Sequence, residues 1–317
     1  MPGIDQYSID LADNDTLEQF YAEQTNTETH FLQLSTGAAI LNARCLDLHD
    51  IRVVEVQGDG KHLWHDKMLS DEWRLAILTQ AEGGSQMGRT ELSPTVAHLL
   101  RPGEEAPLLT NGAYATLELI FAETLPDEMG WACLPGNLAE IDDGVVHALL
   151  HASRVAFSTA GCHAGDPVAI THWRAVFLDL LEMALMPWLV DETPKGSSAM
   201  SATHSDVILK ARRLLLNSDA EQVPDVEALA SNIGVSRRRV FQAFRSELGI
   251  GPRKFREMVR LNALRSQLLQ ETPETASVTL LANEHGFSEL GRLAGTYRRT
   301  FGELPSETLR RSYLSEV

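Results

Sequence analysis

Between residues 31 and 121, apolar and polar side chains alternate in short runs, the period of a β-strand. In Ile51–Gln57, Arg52, Val54 and Val56 fall on one face, and Ile51, Val53 and Glu55 on the other. Trp73, Leu75 and Ile77 share a face of the run Trp73–Thr79. In Ala113–Phe121, Leu117, Leu119 and Phe121 point one way, and Tyr114, Thr116 and Glu118 the other. Turn residues separate the runs at Gly58-Asp59-Gly60, Gly83-Gly84, Arg101-Pro102-Gly103 and Asn111-Gly112. Short strands punctuated in this way point to a barrel or sandwich.

From residue 137 the period becomes helical. Leu138–Phe157 is one expected helix, and Ile170–Val190, opened by Asp166 and Pro167, is a second. The second is apolar nearly all round, through Ile170, Trp173, Phe177, Leu181, Leu185 and Trp188. It is expected to be covered on several sides, either within its own domain or in a dimer interface. Pro187 is expected to end or kink it. Residues 191–205 are rich in Ser and Thr, contain Pro194 and Gly196, and have no apolar period, so they read as a linker. The expected division is a front domain over 1–190, the linker over 191–205, and a helical domain over 206–317.

In the helical region a segment capped by Asp225 runs through Val226, Leu229, Ala230 and Ile233 and stops at Gly234. Ser236 then caps Arg237–Leu248, with Val240, Phe244 and Leu248 inward at i, i+4 and i+8. Arg237, Arg238, Gln242 and Arg245 are left outside. Helix, short glycine turn and helix make a helix-turn-helix unit. Arginines in the first turn oppose the helix macrodipole, and a bound phosphate offsets that cost. The pattern recurs: Ser277 caps a helix with Val278, Leu281 and Ala282 inward, ended by Gly286. A second recognition-type helix, Glu289–Phe301, follows with Arg292, Arg298 and Arg299. Between the units Pro252–Gln270 spans about 28 Å as a helix, near the roughly 34 Å of one DNA turn. A single such hairpin is a common packing unit and a run of arginines is usually a solvated face, but two units spaced this way point to double-stranded DNA.

The formal net charge of −17 looks hostile to that partner until the chain is divided. Residues 1–200 hold 10 Lys+Arg against 30 Asp+Glu, a balance of −20, and residues 201–317 hold 17 against 14, a balance of +3. The 317 residues are 44% hydrophobic and 22% charged, which is enough core for two domains and excludes wholesale disorder. Cys45, Cys133 and Cys162 form no disulfide framework, so a reducing, cytoplasmic location is expected. MPGIDQYSIDLADND does not read as a signal peptide, and Asp179 and Glu182 interrupt the most apolar stretch, so no membrane partner is expected.

Residues 206–311 resemble the AraC/XylS transcription regulators, through LASNIGVSRRRVFQAFRSELGIGPRKF, RLNALRSQLL and HGFSELGRLAGTYRRTFGELPSETLRR. The resemblance implies a helical domain that reads asymmetric promoter DNA with both recognition helices. Its DNA-contacting stretches fall on Ser236, Arg237, Arg238, Arg239, Gln242 and Arg245 in the first unit, and on Arg292, Arg298 and Arg299 in the second. Leu290 and Gly295 stand where many members carry a polar residue and an arginine, so the second unit is expected mainly to anchor phosphates. The family also implies a regulator, more often an activator, working with RNA polymerase and commonly as a homodimer. In the front domain, HFLQLSTGAAILNARCLDL and LLRPGEEAPL are similar to ethanolamine-regulator-like members. That similarity implies a cupin-like β-barrel followed by helices, with a small-molecule pocket inside.

Enzyme signatures do not accumulate. His62 and His65 in KHLWHD lack the close His-x-His and following Glu of a metal cupin, and read as surface or turn residues. His147 and His151 have zinc-protease spacing, but Ala148 stands where the general base belongs. No nucleophile elbow and no Walker or Rossmann glycine loop is present. The chain is therefore expected to have no catalytic residues, no metal and no cofactor. Trp64, Trp73, Tyr114, Glu118 and Trp131 are the candidate effector-pocket residues, and the acidic front domain suits a cationic effector such as a small amine. The alternative is control by a protein partner, with the front domain serving only dimerisation.

Overall fold

A computed structural model describes residues 4–11, 14–37, 39–69, 71–81, 84–87, 90–128, 138–160, 166–190, 207–208, 210–211, 214–215 and 224–315. The expected linker over 191–205 lies outside these residues. Two sheets build the front domain. The seven-stranded sheet runs in the order β1 (Ile4–Asp10), β3 (Ile40–Asp47), β4 (Ile51–Asp59), β11 (Ala113–Ala122), β6 (Glu72–Ala81), β9 (Val96–Leu100) and β12 (Leu138–Glu140). The five-stranded sheet runs β2 (Thr27–Gln33), β5 (His62–Met68), β10 (Glu105–Thr110), β7 (Gln86–Met87) and β8 (Thr90–Glu91). Each pairing is antiparallel. The two antiparallel sheets pack around an apolar interior.

Alternation along the strands explains the layering. On β4, Val54 and Val56 enter the interior core with Leu41, Trp64, Leu78, Tyr114 and Ile120. Ile51 and Val53 point outward, and join Leu75, Ile77, Leu117, Leu119 and Phe121 against the helices α3 (Asp143–Ala160) and α4 (Pro167–Val190). The first of those helices starts later than its sequence period indicates. Residues 138–140 instead pair with β9, with Leu138 opposite His98, because ladder hydrogen bonds to an open sheet edge outweigh the helical period of three residues. The second continues past Pro187 to Val190. Phe177, Leu181, Ala184 and Leu185 are fully buried, while Val168, Met183 and Met186 are exposed, so the described part of α4 is covered on one side only. The segment before residue 31 also carries β1 and α1 (Asn14–Thr25), where Leu17, Phe20 and Tyr21 at helical spacing are buried in the interior core. A short helix, α2 (Thr124–Glu128), follows β11.

The described helices of the second domain are α5 (Val226–Ile233), α6 (Arg237–Leu248), α7 (Pro252–Gln270), α8 (Val278–Glu284), α9 (Leu290–Phe301) and α10 (Pro305–Ser315). The caps fall where the residues require. Asp225 accepts from the amides of Glu227 and Ala228, Ser236 from Arg239 and Ser277 from Leu280, and Pro252 begins α7. Gly234 ends α5 with φ 77°, a left-handed turn that a residue with a Cβ rarely adopts.

One face of α7 joins the first unit through Phe255 and Val259, and another joins the second through Met258, Leu261, Leu264 and Leu268. The outer face of the five-stranded sheet, through Leu32, Leu63 and Leu109, belongs to the same apolar cluster as Ile208, Phe244 and Leu248. Polar contacts flank that seam. Asn262 exchanges hydrogen bonds with the Gln33 backbone at 3.2 Å, and the Gln33 carboxamide donates to the carbonyl of Thr300 at 3.1 Å. Buried Arg265 reaches Glu303 at 3.1 Å and Asp10 of the front domain at 3.5 Å. Phe244→Ala removes a fully buried ring from this seam, and is expected to cost about 3–5 kcal/mol in a urea unfolding measurement followed by helical circular dichroism.

Candidate functional site

The first recognition helix, α6, presents Arg237, Arg238, Gln242 and Arg245 to solvent, with Arg239 half-buried. Its inner side is held by Val240, Ala243, Phe244 and Leu248, so the register of the exposed residues follows from apolar packing. Arg237 is already engaged: Nη1 donates to Glu227 of α5 at 2.8 Å, and the guanidinium lies 5.8 Å from the Phe241 ring centre. The side chains of Arg238, Gln242 and Arg245 have no hydrogen-bond or ionic partner among the described residues. Ser236 caps the helix through its hydroxyl.

The second recognition helix, α9, exposes Arg292, Arg298 and Arg299 and buries Leu293, Thr296, Tyr297, Thr300 and Phe301. Arg299 donates to the Thr296 hydroxyl at 3.1 Å. Gly291 and Gly295 leave a flat surface beside Arg292, since a Cβ at Gly291 would meet nothing and one at Gly295 would meet only Arg299. Glu289 precedes the helix without a side-chain cap bond, so the first amides of α9 lack that partner. Both units thus offer solvent-facing arginines on helices fixed to one support, α7, an arrangement suited to binding a polyanionic duplex.

In the front domain the candidate pocket residues separate. Trp64 and Tyr114 both enter the barrel interior, with ring centres 6.4 Å apart, and Tyr21 and Phe31 lie 5.9 and 4.8 Å from Trp64. Glu118 lies in the same interior, on β11 between β4 and β6. Trp73 is on the opposite face, beside Phe121 and under Arg101, because it alternates with the interior-facing Arg74. Trp131 lies outside the described residues. His62 and His65 are strand residues of β5 with 0% and 6% exposure, a correction to their reading as surface or turn residues. The ring centres of Phe31, Trp64 and Tyr114 lie 4.9, 6.1 and 6.2 Å from that of His62, a context that a six-residue motif does not carry.

Arg74, Asp66 and Thr29 form an interior group that sequence reasoning missed. Arg74, on the large sheet, donates to Asp66, on the small one, at 2.7 Å, and lies 3.5 Å from Glu118. Asp66 also accepts from Thr29 at 2.9 Å. Burial works against the charge on Arg74, and the Asp66 and Glu118 carboxylates outweigh it, so its pKa is raised. Burial raises the pKa of Glu118, against the pull of Arg74. Among the described residues, the Tyr114 hydroxyl, both ring nitrogens of His62, Nε of Arg74 and Oε2 of Glu118 are buried and make no hydrogen bond, although Oε2 of Glu118 lies 3.5 Å from Nη1 of Arg74. Gly58 has no room for a Cβ beside the Tyr114 hydroxyl. The available signal was a charged residue in the middle of an apolar strand, as at Arg74. Among the described residues no three His, Cys, Asp or Glu side chains gather as a metal site, and no helix is long and apolar enough to cross a membrane.

Residues 229–311 match the family model described as a helix-turn-helix domain. The chain is 39% identical over 95 residues to a probable thc operon regulatory protein of Rhodococcus erythropolis, covering 30% of this chain and 29% of that one. It is 35% identical over 96 residues to the XylDLEGF operon transcriptional activator 3 of Pseudomonas putida, again 30% of this chain and 29% of the relative. The matched region therefore spans under a third of the length of these curated relatives. Among solved structures, the AraC-like transcriptional activator CuxR aligns over 86% of this chain and 97% of its own, at 15% identity and a TM-score of 0.41. The class defined at this point is a double helix-turn-helix domain. Over this region its sequence is similar to the operon regulators named above, and it is borne here behind a front domain of two antiparallel sheets.

Burial lowers the pKa of His62 to about 3, and that of His98 likewise, so both are neutral in the folded state. Unfolded histidines take up protons below about pH 6.5, so stability is expected to fall as pH drops from about 6.5 towards 3, by up to about 1.4 kcal/mol per pH unit for each. His62→Phe removes one such group, and thermal melts at pH 5 and pH 8 should lie closer together than in the wild type.

Proposed function

We propose that the protein is a transcription regulator, acting as an activator, that binds promoter duplex through both helix-turn-helix units and responds to a small effector in its front domain. The observation that carries this reading is the pair of arginine-bearing recognition helices facing solvent from one supporting helix. In this reading α6 enters the major groove with Arg238, Arg239 and Gln242 at base edges, while Arg237 and Arg245 meet phosphates. Arg292, Arg298 and Arg299 of α9 anchor the backbone in the adjoining segment. The duplex then competes with Glu227 for Arg237. RNA polymerase is the partner of such an activator at a promoter. The exposed Met183 and Met186 on α4 support a homodimer through that helix.

The effector proposed is a small amine. Tyr21, Phe31, Trp64 and Tyr114 supply ring faces for a cation, and Glu118 supplies a carboxylate oxygen that accepts no hydrogen bond among the described residues and lies 3.5 Å from Arg74. A cation there would also favour the ionised form of Glu118. Alternation on β2 and β5 supports a route to DNA: Phe31 and Trp64 face the interior, while their neighbours Leu32 and Leu63 face the helical domain. An effector with different affinities for two interior packings would shift the population of two interdomain arrangements. The second reading is control by a protein partner, with the front domain serving dimerisation. It is favoured by the dense filling of the interior with apolar and aromatic side chains.

Arg238→Ala is expected to weaken binding to a duplex selected from a randomised pool by about 1–3 kcal/mol and to relax preference at one position, measured by fluorescence anisotropy. Unchanged affinity and unchanged preference would reject the base-reading role. In a thermal-shift series of amines, a ligand at about 100 times its dissociation constant adds about 2.7 kcal/mol of stability, and Glu118→Gln should lose that shift. A flat response to every amine would move the assignment to the partner-controlled reading.

A further inference from the structure

A cavity of about 190 Å³ lies between the outer face of the seven-stranded sheet and α3, on the side of that sheet opposite Glu118 and Tyr114. Arg44 of β3 and Arg154 of α3 both line it. The two arginines differ in their engagement. Arg44 is fixed: Nε donates to Glu55 at 3.0 Å, Nη2 pairs with the same carboxylate oxygen, and the guanidinium sits 4.4 Å from the Phe157 ring centre. The other oxygen of Glu55 accepts from the Ser153 hydroxyl. Both carboxylate oxygens are therefore occupied, and Nη1 of Arg44 is left over.

Arg154 is unpaired. Among the described residues, the other front-domain arginines, Arg44, Arg52, Arg74, Arg101 and Arg174, each pair with a carboxylate. Among those residues the Arg154 side chain has no hydrogen-bond or ionic partner, in a part of the chain where acidic residues outnumber basic ones 30 to 10. An arginine left free in so acidic a domain, over a cavity that already holds a fixed guanidinium, is the feature to explain. Arg44, Arg154 and Glu55 together carry a formal charge of +1. Leu117 and Leu150 form the apolar wall, and Gln57 adds a neutral hydrogen-bonding group.

We propose that this cavity is a binding site for a small monocarboxylate. The carboxylate bridges Arg154 and the free edge of Arg44, where charge-assisted hydrogen bonds are strongest, and a short apolar body lies on Leu117 and Leu150. The single negative charge balances the site. An occupied site would tie α3 to the sheet, independently of the interior.

The test is a titration of the full-length protein with sodium acetate, propionate and butyrate, by calorimetry and thermal shift. Butyramide, sodium chloride at equal ionic strength and inorganic phosphate serve as comparisons. The carboxylates are expected to bind and to raise the melting temperature, while butyramide and chloride do not. Arg154→Ala should weaken binding about tenfold or more and leave the melting temperature of the free protein unchanged, since Arg154 is exposed and unpaired. Glu118→Gln should keep the full carboxylate response, which separates this site from the interior effector site. No binding of any carboxylate at millimolar concentration, an equal response in Arg154→Ala, or binding of phosphate alone would each overturn the proposal.

Discussion

The arrangement of both recognition helices depends on one shared support, the two-sided burial of α7. Phe255 and Val259 pack into the core of the first unit, and Met258, Leu261, Leu264 and Leu268 into that of the second. A nineteen-residue helix has a nearly fixed length, so its two apolar faces set the spacing and phase of α6 and α9. The exposed arginines can then be arranged by packing on the opposite side of each helix, at positions whose own charges would not hold them there. Arg265 shows how closely the support is built. Its guanidinium is buried on α7, lies 4.6 Å from the Phe301 ring centre, and pairs with Glu303 as well as with Asp10 of the front domain.

The front domain uses strand alternation three times. Its interior packs around aromatic side chains and the Arg74–Asp66 pair that joins the two sheets. The outer face of the large sheet is covered by α3 and α4, and the outer face of the small one by the helical domain. Neighbouring residues on β2 and β5 therefore belong to different cores, and a change in interior packing has only the thickness of one strand to cross. Close-packed interiors respond to such changes by shifting between discrete packings. The buried atoms of His62 and Tyr114 that make no hydrogen bond among the described residues make this interior costly to leave empty of polar partners.

Charge is divided in the same way as structure. The acidic front domain pairs most of its described arginines internally, whereas the helical domain leaves Arg238, Arg245, Arg292 and Arg298 without side-chain partners among the described residues.

Much of the helical domain was legible in the sequence because its determinants are local. Caps at Asp225, Ser236 and Ser277, the left-handed glycine at 234, the proline that opens α7 and the i, i+4 spacing of Val240 and Phe244 each act within a few residues. Strand alternation in β4, β6 and β11 was equally local, and it correctly opposed Leu117 and Leu119 to Tyr114 and Glu118. Tertiary structure alone decided what those faces meet. It drew residues 138–140 into a strand, turned two apparent surface histidines into buried ones, sent Trp73 to the outer face, and brought Arg74 to Asp66 and Arg154 to the cavity with Arg44. A sequence specifies which side of an element is apolar through short-range sterics and hydrogen bonds. Which distant element covers that side, and whether a charge there finds a partner, depends on contacts between residues tens to hundreds of positions apart.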